Sequence, residues 1–486
     1  MTAFLIGLVM LLVGGMVYGK YCEKVFGPDD RPTPAITLED GVDFVPMKKM
    51  KNALIELLNI AGTGPILGPI QGILFGPIAF ILIPIGCVLG GAMHDYMSGM
   101  ISLRNNGEQM PGIVKKYLGK GVYNVYNVFL CLLMILVGAV FIYTPGDLVV
   151  TQILHQESAI SNPVVWIVYG AIFAYYLAAT LFPIDKIIGK VYPIFGIILL
   201  LSAIGVSIGI FVKGYPLTPL SAENWMGSHP QGLPILPIFF VTVACGIVSG
   251  FHSTQATLIA RSVTNEREGK FTFYDMMILE GLIAMIWSAA AMGVYNTPGL
   301  VAPEQVGSPD VIGIVANDLL GKVGGLIAIL GVIVLPITSG DTALRSVRLM
   351  IGDALHIDQT KKRNRFTLSA CIFVPVAAIL IFAKSNAEGF NVLWRYFAWA
   401  NQTIACFAFA MITVYLLSDK KNYIISLIPG MFYVFIISAY ILNAQIGFRL
   451  PMSIAYVGGV LLAIVYAALV VRTGKKRLAD GGKRLA

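Results

Sequence analysis

The sequence predicts an all-α, polytopic membrane protein, and three observations predict it. Of its 486 residues, 57% are hydrophobic and only 12% charged, with a mean hydropathy of +0.79. A soluble domain carries about 25% charged residues. Apolar runs of about 20 residues, the length that crosses a bilayer, recur along the whole chain. The basic residues also sort between alternate connections, as the positive-inside rule requires.

Taken in order, the runs place spans at about 2–20, 53–74, 76–103, 121–143, 163–181, 191–212, 233–258, 272–296, 323–342, 366–384, 391–416, 422–443 and 450–472, about thirteen crossings. The first run, Phe4 to Tyr18, has no basic segment before it and no small-residue cleavage site after it. It reads as a retained span rather than a signal peptide. With thirteen crossings, all but Lys213, Lys322, Lys384, Arg395 and Arg449 of the 34 basic residues fall on one side. The expected topology is therefore N-terminus outside and C-terminus cytoplasmic, ending in a basic tail over 473–486. Topology accounts for the net charge of +8, and no nucleic-acid partner is expected. Five of the six cysteines lie inside apolar spans without paired spacing, which supports neither a disulfide framework nor a CxxC metal site.

The second span is unusual. It reads Asn59-Ile-Ala-Gly-Thr-Gly-Pro-Ile-Leu-Gly-Pro-Ile-Gln-Gly-Ile-Leu-Phe-Gly-Pro77, with glycines at 64, 68, 72 and 76 on one helical face. A small-residue face lets another backbone approach closely. Pro65, Pro69 and Pro77 each remove a backbone donor. Broken helix is tolerated in hydrocarbon where it lines a cavity, the usual form of a transporter's substrate site. A merely kinked, glycine-packed span is the alternative.

The seventh span, Phe239 to Gln255, is interrupted in its turn by Gly246, Ser249 and Gly250. The two breaks are separated by four spans and run in opposite directions across the membrane. That pattern predicts a LeuT-like 5+5 inverted repeat. The expected organisation is an N-terminal helix and cytoplasmic loop over 1–52, a first repeat over 53–212 and a second over 233–416. A C-terminal helix pair over 417–472 and the tail complete it.

Ionisable residues inside spans mark ion paths, proton relays or substrate sites. His94 and Asp95 in span three, and Glu280 in span eight, are such residues. Gly91, Asp95, Ser98 and Ser102 share one helical face. In span nine, Pro336 and Gly340 are expected to loosen a turn carrying Thr338, Ser339 and Asp341, hard oxygen ligands for Na⁺ or a proton path. Pairing of Asp341 with Arg345 is the competing role. A substrate site is expected at Gly62, Thr63 and Gly64 in the first break and at Gly250, Phe251, His252, Ser253 and Thr254 in the second. Helix-end amides there favour an anionic group, most simply a carboxylate. The residues thus suit a secondary transporter, with H⁺ or Na⁺ as coupling ion and no cofactor, rather than an enzyme. Two other readings remain open: an intramembrane metal-binding protein or enzyme using His94, Asp95 and His252, and a channel.

The segments Asn59-Ile-Ala-Gly-Thr-Gly-Pro-Ile-Leu-Gly-Pro, Gly90-Gly-Ala-Met-His-Asp-Tyr, Gly250-Phe-His-Ser-Thr-Gln and Gly340-Asp-Thr-Ala-Leu-Arg, in this order, resemble the carbon starvation protein A (CstA) family, in a short form. The resemblance implies an inner-membrane transporter of the amino acid–polyamine–organocation type. It implies uptake of peptides or pyruvate with proton coupling under nutrient limitation.

The charge distribution carries its own test. A cysteine placed in the 144–162 segment, which contains no Lys or Arg, is expected to react with an impermeant thiol reagent applied outside intact cells. One placed between Lys361 and Arg365 is expected to stay unlabelled until the cells are opened. Reverse labelling would overturn the orientation.

Overall fold

The computed structural model describes residues 1–41, 43–181, 185–221, 224–225, 229–301, 306–358, 361–386 and 388–479. Its principal helices are α1 (Thr2–Phe26), α2 (Lys49–Ile60), α3 (Gly64–Gly72), α4 (Ala79–Arg104), α5 (Lys120–Ile153), α6 (Pro163–Leu181) and α7 (Asp185–Lys213). They continue with α8 (Gly250–Ile259), α9 (Asp275–Tyr295), α10 (Asp310–Ala354), α11 (Lys362–Ser385), α12 (Gly389–Ser418), α13 (Ile424–Asn443) and α14 (Met452–Ala479). No strand forms among the described residues; one isolated parallel bridge joins Met47 and Val263.

Among the described residues, ten helices are long and apolar enough to cross a membrane, and α2 with α3 adds an eleventh as a pair bent by 51°. Of the thirteen expected spans, the fifth is the shorter apolar helix α6, and the seventh is not one helix. It is helical over 235–242, irregular over 243–249, and helical again in α8. Both expected interruptions are therefore present, the first at Ala61–Thr63 and the second turning at Gly246, whose φ of +86° favours glycine. Pro65 does not cause the first break. It sits in the opening turn of α3, where a missing N–H costs nothing.

The two broken segments lie side by side and antiparallel. At one end the Met47 amide donates to the Ser262 carbonyl at 3.0 Å, and Asn52 Nδ2 donates to the same oxygen at 3.0 Å. At the middle Gly64 abuts Cys245. Farther on, a Cβ on Gly68 would lie 2.9 Å from the Thr242 carbonyl oxygen, and one on Gly72 would lie 2.6 Å from Val243 Cγ2. Phe75 then meets Phe239 edge-on at 5.6 Å. The four-residue glycine step is the seam along which one break packs on the other. Gly76 differs: its φ of +85° ends the helix before Pro77.

The backbone groups freed by the second break need partners, because hydrocarbon offers none. One face of α12 supplies them. Gln402 Nε2 donates to the Phe240 carbonyl at 2.5 Å, and Trp394 Nε1 donates to the Thr242 carbonyl at 2.9 Å. Asn401 Oδ1 accepts from the Phe251 amide at 2.9 Å, capping α8. Gly250 allows this approach, since a Cβ there would run into the Asn401 carbonyl and the Ala405 amide. α4 closes on the same break through Gly90 and Gly91, which face Val248 and the Ile247 carbonyl, and it carries a wide π-type turn over Cys87–Gly91.

Gly68→Val forces a side chain against backbone and is expected to destabilise by about 1–3 kcal/mol, read as a lower Tm in detergent. Gly62→Ala should leave Tm unchanged, because nothing lies within 4 Å of a Cβ at that position. Gln402→Leu strands the Phe240 carbonyl and is expected to cost about 1–3 kcal/mol, measured in the same assay. An unchanged Tm in Gln402→Leu would show that the break does not need α12.

Candidate functional site

Three helices meet beneath the two breaks. α4 brings His94 and Asp95, α8 brings His252, and α9 brings Glu280; each side chain is at most 1% exposed. Asp95 Oδ1 lies 2.7 Å from His94 Nδ1, and its Oδ2 lies 3.0 Å from His252 Nδ1. That same His252 nitrogen is 3.6 Å from Glu280 Oε2. One histidine N–H therefore faces two carboxylates, and one carboxylate bridges two imidazoles. Glu56 on α2 is also fully buried, within electrostatic reach of Asp95.

Several buried atoms around the breaks have no hydrogen-bond partner among the described residues. They are both oxygens of Glu280 and of Glu56, Thr63 Oγ1, Thr242 Oγ1, Gln402 Oε1 and His94 Nε2. Unsatisfied buried polar atoms are uncommon, and a concentration of them marks a place where something else binds or protonates.

The expected site residues divide. His94, Asp95, His252 and Glu280, flagged separately, form one cluster. Gly62 and Thr63 line the first break, Gly62 half-buried and Thr63 buried. Gly64 is packed on Cys245. The second helix end, expected to present free amides to an anion, is engaged internally: the Phe251 amide is bound by Asn401. Ser253 Oγ donates to the Gly250 carbonyl at 2.7 Å, and Thr254 Oγ1 to the Phe251 carbonyl at 2.6 Å. A buried helix start must be capped, and Asn401 does it here.

Span nine also differs from expectation. The turn carrying Thr338, Ser339 and Asp341 is not loosened, because α10 runs helically through it; the non-helical residue in α10 is Gly321. Gly340 serves close packing instead. The Tyr176 hydroxyl seats against it, 2.9 Å from the Phe141 carbonyl and 3.3 Å from that of Pro336. Asp341 accepts from Tyr175 on α6 at 2.8 Å, so its phenol partner comes from outside the broken helices. The side chains of Thr338 and Thr342 lie outside the described residues.

Sequence reasoning missed Glu56, Asn401, Gln402 and Arg395. The signal for Asn401 and Gln402 was an adjacent amide pair inside an otherwise apolar span. Glu56 was an acid amid leucines in a segment read only for its glycines.

The far end of α4 is tied down by charge. Arg104, ending α4, grips Glu266 at 2.5 and 2.7 Å and donates to the Gly27 carbonyl at 2.9 Å. The Asp29 amide binds the same carboxylate at 3.0 Å. The Asp29 carboxyl is itself held well below the usual carboxylate range by hydrogen bonds from Arg31, so it stays charged. Among the described residues, no three His, Cys, Asp or Glu side chains surround a common metal position.

Comparison with known proteins agrees with this architecture. The Carbon starvation protein CstA family profile matches residues 1–226, 146–298 and 305–440. An uncharacterized membrane protein of Haemophilus influenzae is 40% identical, the match covering 61% of this chain and 92% of that one. The peptide transporter CstA of Escherichia coli is 23% identical, covering 85% of this chain and 76% of its own. The pyruvate/proton symporter BtsT of Escherichia coli is 25% identical, covering 59% and 49%. Among solved structures, an Eremococcus coleocola manganese transporter superposes with a TM-score of 0.59 at 9% identity, covering 91% of this chain and 99% of that one. At that identity the likeness concerns the fold. A transporter's broken-helix architecture and a profile match along most of its length together place this multi-span membrane protein in the carbon starvation protein CstA family.

Proposed function

We propose that this transporter imports a small carboxylate-bearing nutrient (a peptide, an amino acid or pyruvate) by proton-coupled symport across the inner membrane. The observation that carries the reading is the buried His94–Asp95–His252–Glu280 cluster joined to both breaks. Asp95 sits one turn from the Gly90–Gly91 contact with the second break, and His252 lies in the first turn of α8. A proton reaching His252 changes the charge facing Asp95 and Glu280 together. The cost of a buried charge then depends on whether the helices hold these groups together. That is the means by which protonation would select one arrangement of α4, α8 and α9 over another.

The substrate carboxylate is assigned to the first break. There Gly62 leaves space, Thr63 Oγ1 lacks a partner, and the start of α3 carries no side-chain cap. In this reading Gly250, Phe251, Ser253 and Thr254 join the site when α8 leaves Asn401. The antiparallel broken helices support a LeuT-like 5+5 arrangement, with the N-terminus outside and the C-terminus cytoplasmic. Asp341, held by Tyr175, is assigned to a flanking ionisable position on α10. No cofactor is assigned. The Escherichia coli relatives, a peptide transporter and a pyruvate/proton symporter, support the substrate class and the proton.

Proteoliposomes test the reading. Wild-type protein should exchange labelled pyruvate or dipeptide by counterflow, which a channel does not do. With one proton per substrate, a one-unit pH gradient should drive about tenfold accumulation. Asp95→Asn and His252→Gln should abolish the accumulation and keep counterflow. Full accumulation in Asp95→Asn would refute the cluster as the coupling site. Accumulation that follows a Na⁺ gradient at equal pH would replace the proton with Na⁺.

A further inference from the structure

A cavity of about 220 Å³ opens beside the second break, away from the Arg104–Glu266 clamp, between Gln71 on α3, Thr242, the His229–Gln231 turn and the start of α12. It has room for several waters or a small organic anion. Arg395 on α12 faces it. Arg395 is half-buried, its Nε is shielded and unpartnered, and among the described residues its guanidinium makes no hydrogen bond or ion pair. Glu388 shares the cavity wall, but its carboxylate accepts from Asn391 at 2.8 Å and from Gln231 at 3.3 Å. Glu388 stays within electrostatic reach of Arg395, but among the described residues no ion pair closes on the guanidinium, so its donors are left for an anion in the cavity.

His229 does not compete for that anion as a second cation. Its Nδ1 accepts from the Gln231 amide at 3.1 Å, which places any ring proton on Nε2. Burial, with the charge of Arg395 adding to it, pushes His229 down to about 4. At neutral pH it therefore adds a donor and no charge. The cavity also reaches the transport path: Thr242 lines it, and the Thr242 carbonyl is bound by Trp394, the residue next to Arg395.

We propose that Arg395 is an outer carboxylate subsite, where the substrate's anionic group docks before it descends to the breaks. This rests on the carboxylate reading above and adds a second, separate contact to it. The guanidinium fork suits a carboxylate in bidentate geometry.

The test uses the full-length protein with Gln231→Cys as a reporter on the cavity wall and Cys371→Ser to remove the exposed native thiol. A sulfonate-bearing methanethiosulfonate should label it faster than a trimethylammonium-bearing one, and Arg395→Gln should cut that ratio about fivefold. Pyruvate and alanylalanine should slow labelling when Arg395 is present, whereas alanylalanine amide should not. Arg395→Lys should keep the reagent ratio, which separates charge from misfolding, and should weaken protection. A ratio unmoved by Arg395→Gln, or no protection by either carboxylate, overturns the subsite. Wild-type counterflow is measured on the same preparation. Exchange without protection removes the subsite alone, and protection without exchange removes the transport reading alone.

Discussion

A helix that stops inside a membrane leaves amides and carbonyls that neither lipid nor its own turns can satisfy. This constraint shapes most of what surrounds the two breaks. The second break is held open by three side chains of α12, which take up two carbonyls and one amide. The first break is narrower and rests on glycine contacts with the second. α4 must then come close enough to cover both, and Gly90 and Gly91 permit it. Once α4 is there, Asp95 has no water to face, and its two histidines become its solvent.

The cluster around Asp95 is thus a by-product of the same close packing. Two carboxylates, two imidazoles and the nearby Glu56 occupy a volume that excludes water. Such a group cannot carry several net charges at once without a large cost. The geometry gives His252 the central place, because its Nδ1 alone lies near two acids.

Much of the fold was legible in the sequence because membrane spans obey simple rules of length, hydropathy and charge. The breaks were legible too, since a glycine stands in each, Gly62 in the first and Gly246 in the second, although Gly64, Gly68 and Gly72 turned out to be a packing seam. Asp95, His252 and Glu280 stood out one by one as ionisable groups in apolar runs. Their meeting was not legible, because residues far apart in sequence converge only through helix packing. Nor was the role of Asn401 and Gln402, whose partners are backbone atoms of a distant segment. The turn at Thr338–Asp341 was misread for a related reason. A proline and a glycine in one helix look like a break, but here Gly340 is small to admit Tyr176. Composition alone does not tell loosening from close packing.

The placement of α12 has a mechanical consequence. Arg395 and Gln402 are seven residues apart, about 10 Å along one side of the helix. The cavity cation and the clasp on the second break therefore belong to one stiff rod. Pulling Arg395 toward an incoming anion would apply torque to Gln402 and Asn401, and through them to the start of α8 and His252. Occupancy at the mouth and the proton affinity of the interior would then share one lever.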